Sequence, residues 1–397
     1  MSFPVDHQKL RRVRERMKRE GIEALLVRAP DNVLYLTNYW PMKGYACAVF
    51  PCEGEPLLIV IEPQLEEARS MAWTEEIRTF KFYDESDPRP PTARSLDAGL
   101  LALHDLGLNG RVGVELTQGS QICDRMVGEP TVYTLPYFET CRASVAQMVD
   151  AAPLLAELRM IKTGQEIERM RLANQLAALG MEYAREHIRP GMKESQVAAM
   201  IEGHIHQVGV GFQDGRVQMA RAFSLVWSGP GIATFTATGS RPVQENEPTL
   251  VELWVCADGY WTDLTKNLCP GTLNDEYSRL LDLLLSTMQE AADYARPGAS
   301  LAELDRLIRV RLAEGGYPGQ PSHPVAHGVG ARAHEPPFAH QAAGGTIQAG
   351  MVLAIEPGAY WKGGGGLRVE DNFWINEDKT EQLCPYPDDF REPAKTR

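Results

Sequence analysis

The stretches "VELWVCADGYWTDLTKN" (251–267) and "MVLAIEPGAYWKGGGGLRVEDNF" (351–373) decide how this chain folds. Both are rich in Val, Leu, Tyr and Trp, residues that suit a pleated, half-buried surface. Yet the first sets Glu252 and Asp263 among them, and the second Glu356 and Glu370. Burying a charge is costly unless it is paired or bound to a metal, so four acids in strand-like sequence need a common reason. Glu356 follows Glu252 by 104 residues, Glu370 follows Asp263 by 107, and a Tyr-Trp pair stands between the acids of each segment.

The same spacing recurs outside the acids. "MEYAREHIRPGMKESQVAAMIEGHI" begins at Met181 and "MQEAADYARPGASLAELDRLIRVRL" at Met288, an offset of 107. In each, a helical pattern stops at Arg-Pro-Gly and a second helix follows, as Pro and Gly punctuation predicts. Two related halves facing each other would bring the four carboxylates to one place. They cannot all stay ionised there without a positive charge among them. Two divalent cations would neutralise them, and an oxygen-rich set suits Mn²⁺, with Co²⁺, Fe²⁺ and Zn²⁺ as alternatives. An imidazole is offered by "HPVAHGVGARAHEPP" (323–337), which carries His323, His327 and His334; four of the nine histidines lie between 323 and 340.

The rest of the chain reads as α/β. With 397 residues it exceeds what one compact core usually holds. Up to about residue 150, strand-like "IEALLVRA" (22–29) and "PLLIVIEP" (56–63) alternate with helical "SLDAGLLALHDLGL" (95–108). Thr163 and Glu166 then form a capping box ahead of a long helix. The expected domains are therefore 1–154 and 155–397.

A net charge of −13 argues against nonspecific binding to nucleic acid or an anionic membrane. No apolar run approaches the ~18–20 residues of a membrane span. The basic N-terminal stretch, with Leu10, Val13 and Met17 at helical spacing, reads as an amphipathic helix rather than a secretory signal. Seven scattered cysteines without a CxxC pair indicate neither structural zinc nor a disulfide framework, which fits a cytoplasmic protein.

Four ordered segments, "DGYWTDLTK" (258–266), "HGVGARAHEPP" (327–337), "GMVLAIEPGAY" (350–360) and "GLRVEDN" (366–372), resemble those of the pita-bread hydrolases. That superfamily includes aminopeptidase P, prolidase, methionine aminopeptidase and creatinase. "DNVLYLTNYW" (31–40) resembles the creatinase-type N-domain of its longer members. The resemblance covers essentially the whole chain. It implies an N-terminal creatinase-type α/β domain followed by a pita-bread domain of the α+β kind, with pseudo-twofold symmetry. Carried over by motif, Glu252, Asp263, His327, Glu356 and Glu370 would ligate two divalent ions. His334 would contact substrate and stabilise developing negative charge, Glu356 would double as general base, and Arg368 would orient the carboxylates. The implied activity is hydrolysis of an amide C–N bond, of the Xaa-Pro dipeptidase or aminopeptidase P type, on a short peptide or other small molecule. A homodimer is implied by the same analogy.

Two departures set this chain apart. The family's peptidases almost always have Asp at the position of Glu252; the extra methylene moves the carboxylate by about one C–C bond length. They also carry a substrate-holding histidine between a Ser-Gly pair and the first acid, where this chain has Phe235 or Thr236 and no His between Ser228 and Glu252. No basic residue follows Pro337 either, Phe338 standing there. Glu252 and the missing histidine favour an alternative, a creatinase-like, metal-independent hydrolase of a guanidino or cyclic amidine compound. A third reading is a catalytically inactive binding module. "KGGGGL" (362–367) reads as a turn between the strands carrying Glu356 and Glu370 rather than a phosphate loop.

Overall fold

A computed structural model describes residues 3–41, 45–117, 135–232, 236–342, 344–361 and 363–391. The chain divides into two compact units, Met1–Arg159 and Met160–Arg397. The expected boundary at 154/155 lies inside the helix Ala152–Met160, so the division falls at the end of that helix.

The first unit is built on six strands: β1 (Ala24–Val27), β2 (Cys47–Pro51), β3 (Leu57–Ile61), β4 (Ile77–Phe80), β5 (Arg111–Val114) and β6 (Gln147–Asp150), in the order β4-β3-β2-β1-β5-β6. β1, β5 and β6 run parallel, and β2 is antiparallel to both of its neighbours. The apolar runs read as strands are β1 and β3, each buried along its whole length, as expected of sheet interiors covered by helices. The helix Pro91–Asp105 packs Leu96, Ala102 and Leu103 against Leu26, Val49 and Ile59. It starts four residues before the expected helix because Pro91 fits the first helical position. The N-terminal amphipathic helix spans His7–Glu20 and buries Leu10, Val13 and Met17; Asp6 caps its start and Gly21, at φ 64°, ends it.

In the second unit the internal repeat is a repeat of structure. The helices Gly164–His187 and Glu194–Gly209 are followed by β7 (Ala220–Ser228), β8 (Thr249–Ala257) and β9 (Tyr260–Leu268), an antiparallel sheet. The helices Asp275–Tyr294 and Leu301–Glu314 lead to β10 (Ala326–Gly328), β11 (Glu335–Phe338), β12 (Val352–Ile355), β13 (Gly358–Trp361), β14 (Gly365–Arg368), β15 (Asp371–Ile375) and β16 (Thr380–Gln382). These form a five-stranded sheet, β11-β10-β12-β15-β16, and the hairpin β13-β14.

The Arg-Pro-Gly stops match in detail. Gly191 and Gly298 both sit at φ 90°, where a side chain would be strained. Gly191 donates to Val243 O and Gly298 to Ile347 O, both at 2.8 Å. Isolated bridges pair Lys193 with Pro242 and Ser300 with Thr346. The residue offsets, 107 on one side of each contact and 104 on the other, are those of the acids. A further bridge, Thr265 to Glu370, joins β9 of the first half to the acid of the second.

Candidate metal centre

Antiparallel register puts the first pair of acids on one face. Glu252 in β8 pairs with Thr265 in β9, and Trp254 with Asp263, and residues two apart along a strand face the same side. Glu356 and Glu370 stand just outside strands, after β12 and before β15 respectively, rather than within them as the sequence suggested. His327 lies in β10, paired with Ala354 of β12.

The donor atoms of Asp263, His327 and His334 lie within 4.8 Å of one another, and so do those of His327, Glu356 and Glu370. His327 Nε2 is 3.5 Å from Asp263 Oδ2 and 3.6 Å from Glu356 Oε1. His334 Nε2 is 3.3 Å from Asp263 Oδ2. Thr265 Oγ1 donates to Glu370 Oε2 at 2.7 Å and accepts from Arg368 Nε at 2.7 Å. Arg368 is therefore held between acids: Nε is 3.6 Å from Glu370 and Nη2 2.8 Å from Glu252.

Glu252 is placed differently from the other four expected ligands. Among the described residues it belongs to neither donor group. Its longer side chain delivers the carboxylate to the Arg368 guanidinium.

The donor set fits a cation. His327 Nδ1 meets Gly328 O at 3.1 Å; with the proton on Nδ1, the lone pair of Nε2 faces the carboxylates, the usual arrangement of a ligating histidine. Burial, then the neighbouring His334, pushes the His327 pKa down to about 3, so the ring is neutral. Among the described residues Asp263 Oδ1 is buried with no close hydrogen-bond partner, the Trp254 indole being a donor side chain near this carboxyl. Burial and then the Glu370 carboxylate raise both Asp263 and Glu356 well above the usual carboxylate range. Burial also raises Glu370, with Arg368 opposing it. Lone pairs facing lone pairs in a water-poor site are stabilised by an ion between them.

Four residues of the site, His323, Arg309, Tyr360 and Thr265, had no role assigned from sequence. His323, buried, meets Pro324 O through Nδ1 at 2.6 Å, with Glu356 Oε2 3.3 Å from the same nitrogen, and its Nε2 lies 3.1 Å from the Tyr360 hydroxyl. Arg309, ion-paired to Asp305, donates to His323 O at 3.0 Å and fixes that backbone. The Tyr360 hydroxyl also takes a long contact, 3.4 Å, from Arg368. Only the density of histidines pointed to His323; Tyr360 and Thr265 are signalled by their positions beside the acids.

Behind His334, Glu335 opens β11 and pairs with Lys162 Nζ at 2.8 Å, both side chains 1% exposed. Of the two residues at the missing histidine, Phe235 lies outside the described residues. The Thr236 hydroxyl accepts from the Trp227 indole at 2.9 Å. Trp227 and Trp261 are core residues, whereas Trp254 lies against His334. The glycine run is the β13–β14 turn, with Gly363 and Gly365 at positive φ.

Comparison with known proteins follows the two units. The model of metallopeptidase family M24 matches residues 168–377, and that of the creatinase/prolidase N-terminal domain matches 9–161. YkvY of Bacillus subtilis, named a dipeptidase by inference, is 26% identical over 384 residues, covering 96% of this chain and 99% of that one. The prolidase of Pyrococcus horikoshii superposes with a TM-score of 0.78 at 23% identity, covering 96% of this chain and 99% of that one. The Xaa-Pro dipeptidase of Bacillus anthracis gives 0.78 at 21% identity, covering 96% and 98%. At these identities the solved structures show a shared fold.

Proposed function

The chain belongs to metallopeptidase family M24, a hydrolase family, and from that premise we propose that it cleaves the amide bond of Xaa-Pro dipeptides or of short peptides with proline second. The observation that supports this most is the meeting of Asp263, His327, Glu356 and Glu370 from two related halves, with the free lone pair of a neutral His327 turned toward the acids. These four residues would hold two divalent ions, Mn²⁺ first among them for an oxygen-rich set, with Glu252 contributing only where it leaves Arg368. Such ions lower the pKa of a water and polarise the scissile carbonyl.

Protein groups would do the remaining work. Glu356 would take the water's proton. His334, the most exposed of the site's imidazoles at 20%, would steady the negative charge that develops on the carbonyl oxygen. Arg368 and Thr265 would keep Glu370 in register. The same proposal includes a homodimer and a cytoplasmic location. The six cysteines described are all free, and among the described residues no helix is long and apolar enough to cross a membrane.

The metal-independent alternative finds no support among the relatives, and it would leave the buried acids without the charge their packing calls for. Metal analysis of purified protein, run beside turnover of Xaa-Pro dipeptides, tests the reading. The expected result is up to two divalent ions per chain and at least a hundredfold loss of activity with chelator, restored by Mn²⁺. Turnover without metal and indifferent to chelator would point to the alternative; neither metal nor turnover would point to a binding module.

A further inference from the structure

Successive residues of a strand face opposite sides, so Thr265, turned to Glu370, leaves Lys266 on the other face of β9. There Lys266 Nζ donates to Asp371 Oδ2 at 2.7 Å, both side chains being 1% exposed or less. Lys266 also pairs with Asp388, and the Gln382 amide donates to Asp371 and to Asp388, at 2.7 Å each. A closed ring of four polar groups therefore joins β9, β15, β16 and the segment 383–391 that follows.

Beside that ring, residues 370–372 are tied to β9 one after another. The Glu370 amide donates to Thr265 O at 3.0 Å. The Asn372 side chain accepts from the Asp263 N–H at 3.2 Å and donates to Asp263 O at 2.6 Å. Two of the proposed ligands, Asp263 and Glu370, stand in this seam. The segment 383–391 runs along it: Leu383 N donates to Asn372 O at 2.8 Å and Cys384 N to Asp371 Oδ1 at 3.4 Å. Leu383, Cys384 and Tyr386 are buried.

A buried lysine with two aspartates is a poor source of net stability, since apolar residues of the same volume do as well or better. What such a ring can fix is position. We propose that Lys266 and Asp388 are positioning residues for the metal centre. Asp388 holds Lys266, and Lys266 fixes β9 against residues 370–372, which sets the spacing of Asp263 and Glu370. This rests on the reading of those acids as metal ligands and adds the device that keeps them in place.

The test uses the full chain, stripped of metal, as wild type, Asp388→Asn, Lys266→Met and Ile205→Val. The last is a core truncation in the helix Glu194–Gly209. Calorimetric titration with Mn²⁺ should show binding about tenfold weaker in Lys266→Met, the low end of what removing a group behind a metal ligand costs. Asp388→Asn should weaken it in the same direction by less. Ile205→Val, which lowers global stability, should leave it unchanged.

Hydrogen exchange of the metal-free proteins gives a second readout. In Asp388→Asn, peptides covering β9 and β15 should exchange faster, while those from the helix Asp275–Tyr294 keep the wild-type rate. Unchanged Mn²⁺ affinity in both ring variants, equal weakening in Ile205→Val, or exchange that rises alike in all peptides overturns the proposal. Should Lys266→Met not fold, Asp388→Asn alone decides. Wild-type protein that binds no Mn²⁺ would instead overturn the metal-centre reading, and the exchange arm then judges the hold of the ring on the seam.

Discussion

Arg368 draws the Glu252 carboxylate to 2.8 Å, away from the donors of Asp263, His327, Glu356 and Glu370. The pairing follows from reach: an aspartate on the same backbone would stop about one C–C bond short of the guanidinium. Glu252→Asp should therefore weaken that ion pair and turn the carboxylate back among the other acids. A second divalent ion should then bind at least tenfold tighter in calorimetric titration of metal-stripped protein. Unchanged stoichiometry and affinity would mean that position 252 has no part in holding metal. Glu252 is irregular by residue type alone, which shows the extra methylene. Residue type does not show the partner, since Arg368 comes from a hairpin more than a hundred residues away.

At the scale of elements, β11 is tied down from outside its own sheet. Lys162, just ahead of the helix Gly164–His187, reaches Glu335 next to His334, and both charges are buried. Removing one member of a buried pair leaves the other uncompensated, at a cost of about 3–5 kcal/mol. Lys162→Met should destabilise the protein by that order in denaturant melts. Lys162→Met combined with Glu335→Gln should recover part of the loss, because neither charge is then stranded. If the single variant melts like wild type, the pair does not anchor the strand. The adjoining helix start was legible: Thr163 and Glu166 form both arms of the capping box, a device written within four residues. The Lys162–Glu335 pair was not, because nothing local in either segment names a partner 173 residues distant.

For the whole molecule, the two halves of the metallopeptidase unit converge on a cluster of acids whose protons and metal compete. Asp263 and Glu356 hold their protons above the usual carboxylate range while no cation is bound. Metal binding needs both ionised, so it should release protons, and apparent affinity should rise with pH until these carboxyls are ionised. Calorimetric titrations with Mn²⁺ near pH 6, in two buffers of different ionisation enthalpy, measure the release directly. Zero release would show that the acids are already ionised in the free protein.

What the sequence determined by itself was whatever repeats or lies close along the chain. The offsets of 104 and 107 marked the paired halves, and the motif order marked the family and named five candidate ligands, of which Asp263, His327, Glu356 and Glu370 fall in the two donor groups. Two apolar runs marked β1 and β3 of the first unit's six strands, and proline-glycine stops marked the matched helix ends. These are consequences of local geometry, the period of a strand and the turn that glycine permits. Tertiary structure alone decided where side chains from distant segments end: Glu252 on Arg368, His323 against Glu356 and Tyr360, Lys162 under Glu335, and Trp254 between His334 and Phe223. Those outcomes depend on side-chain reach across strands and turns. A displacement of an ångström or two, invisible in a string of letters, changes which charge meets which.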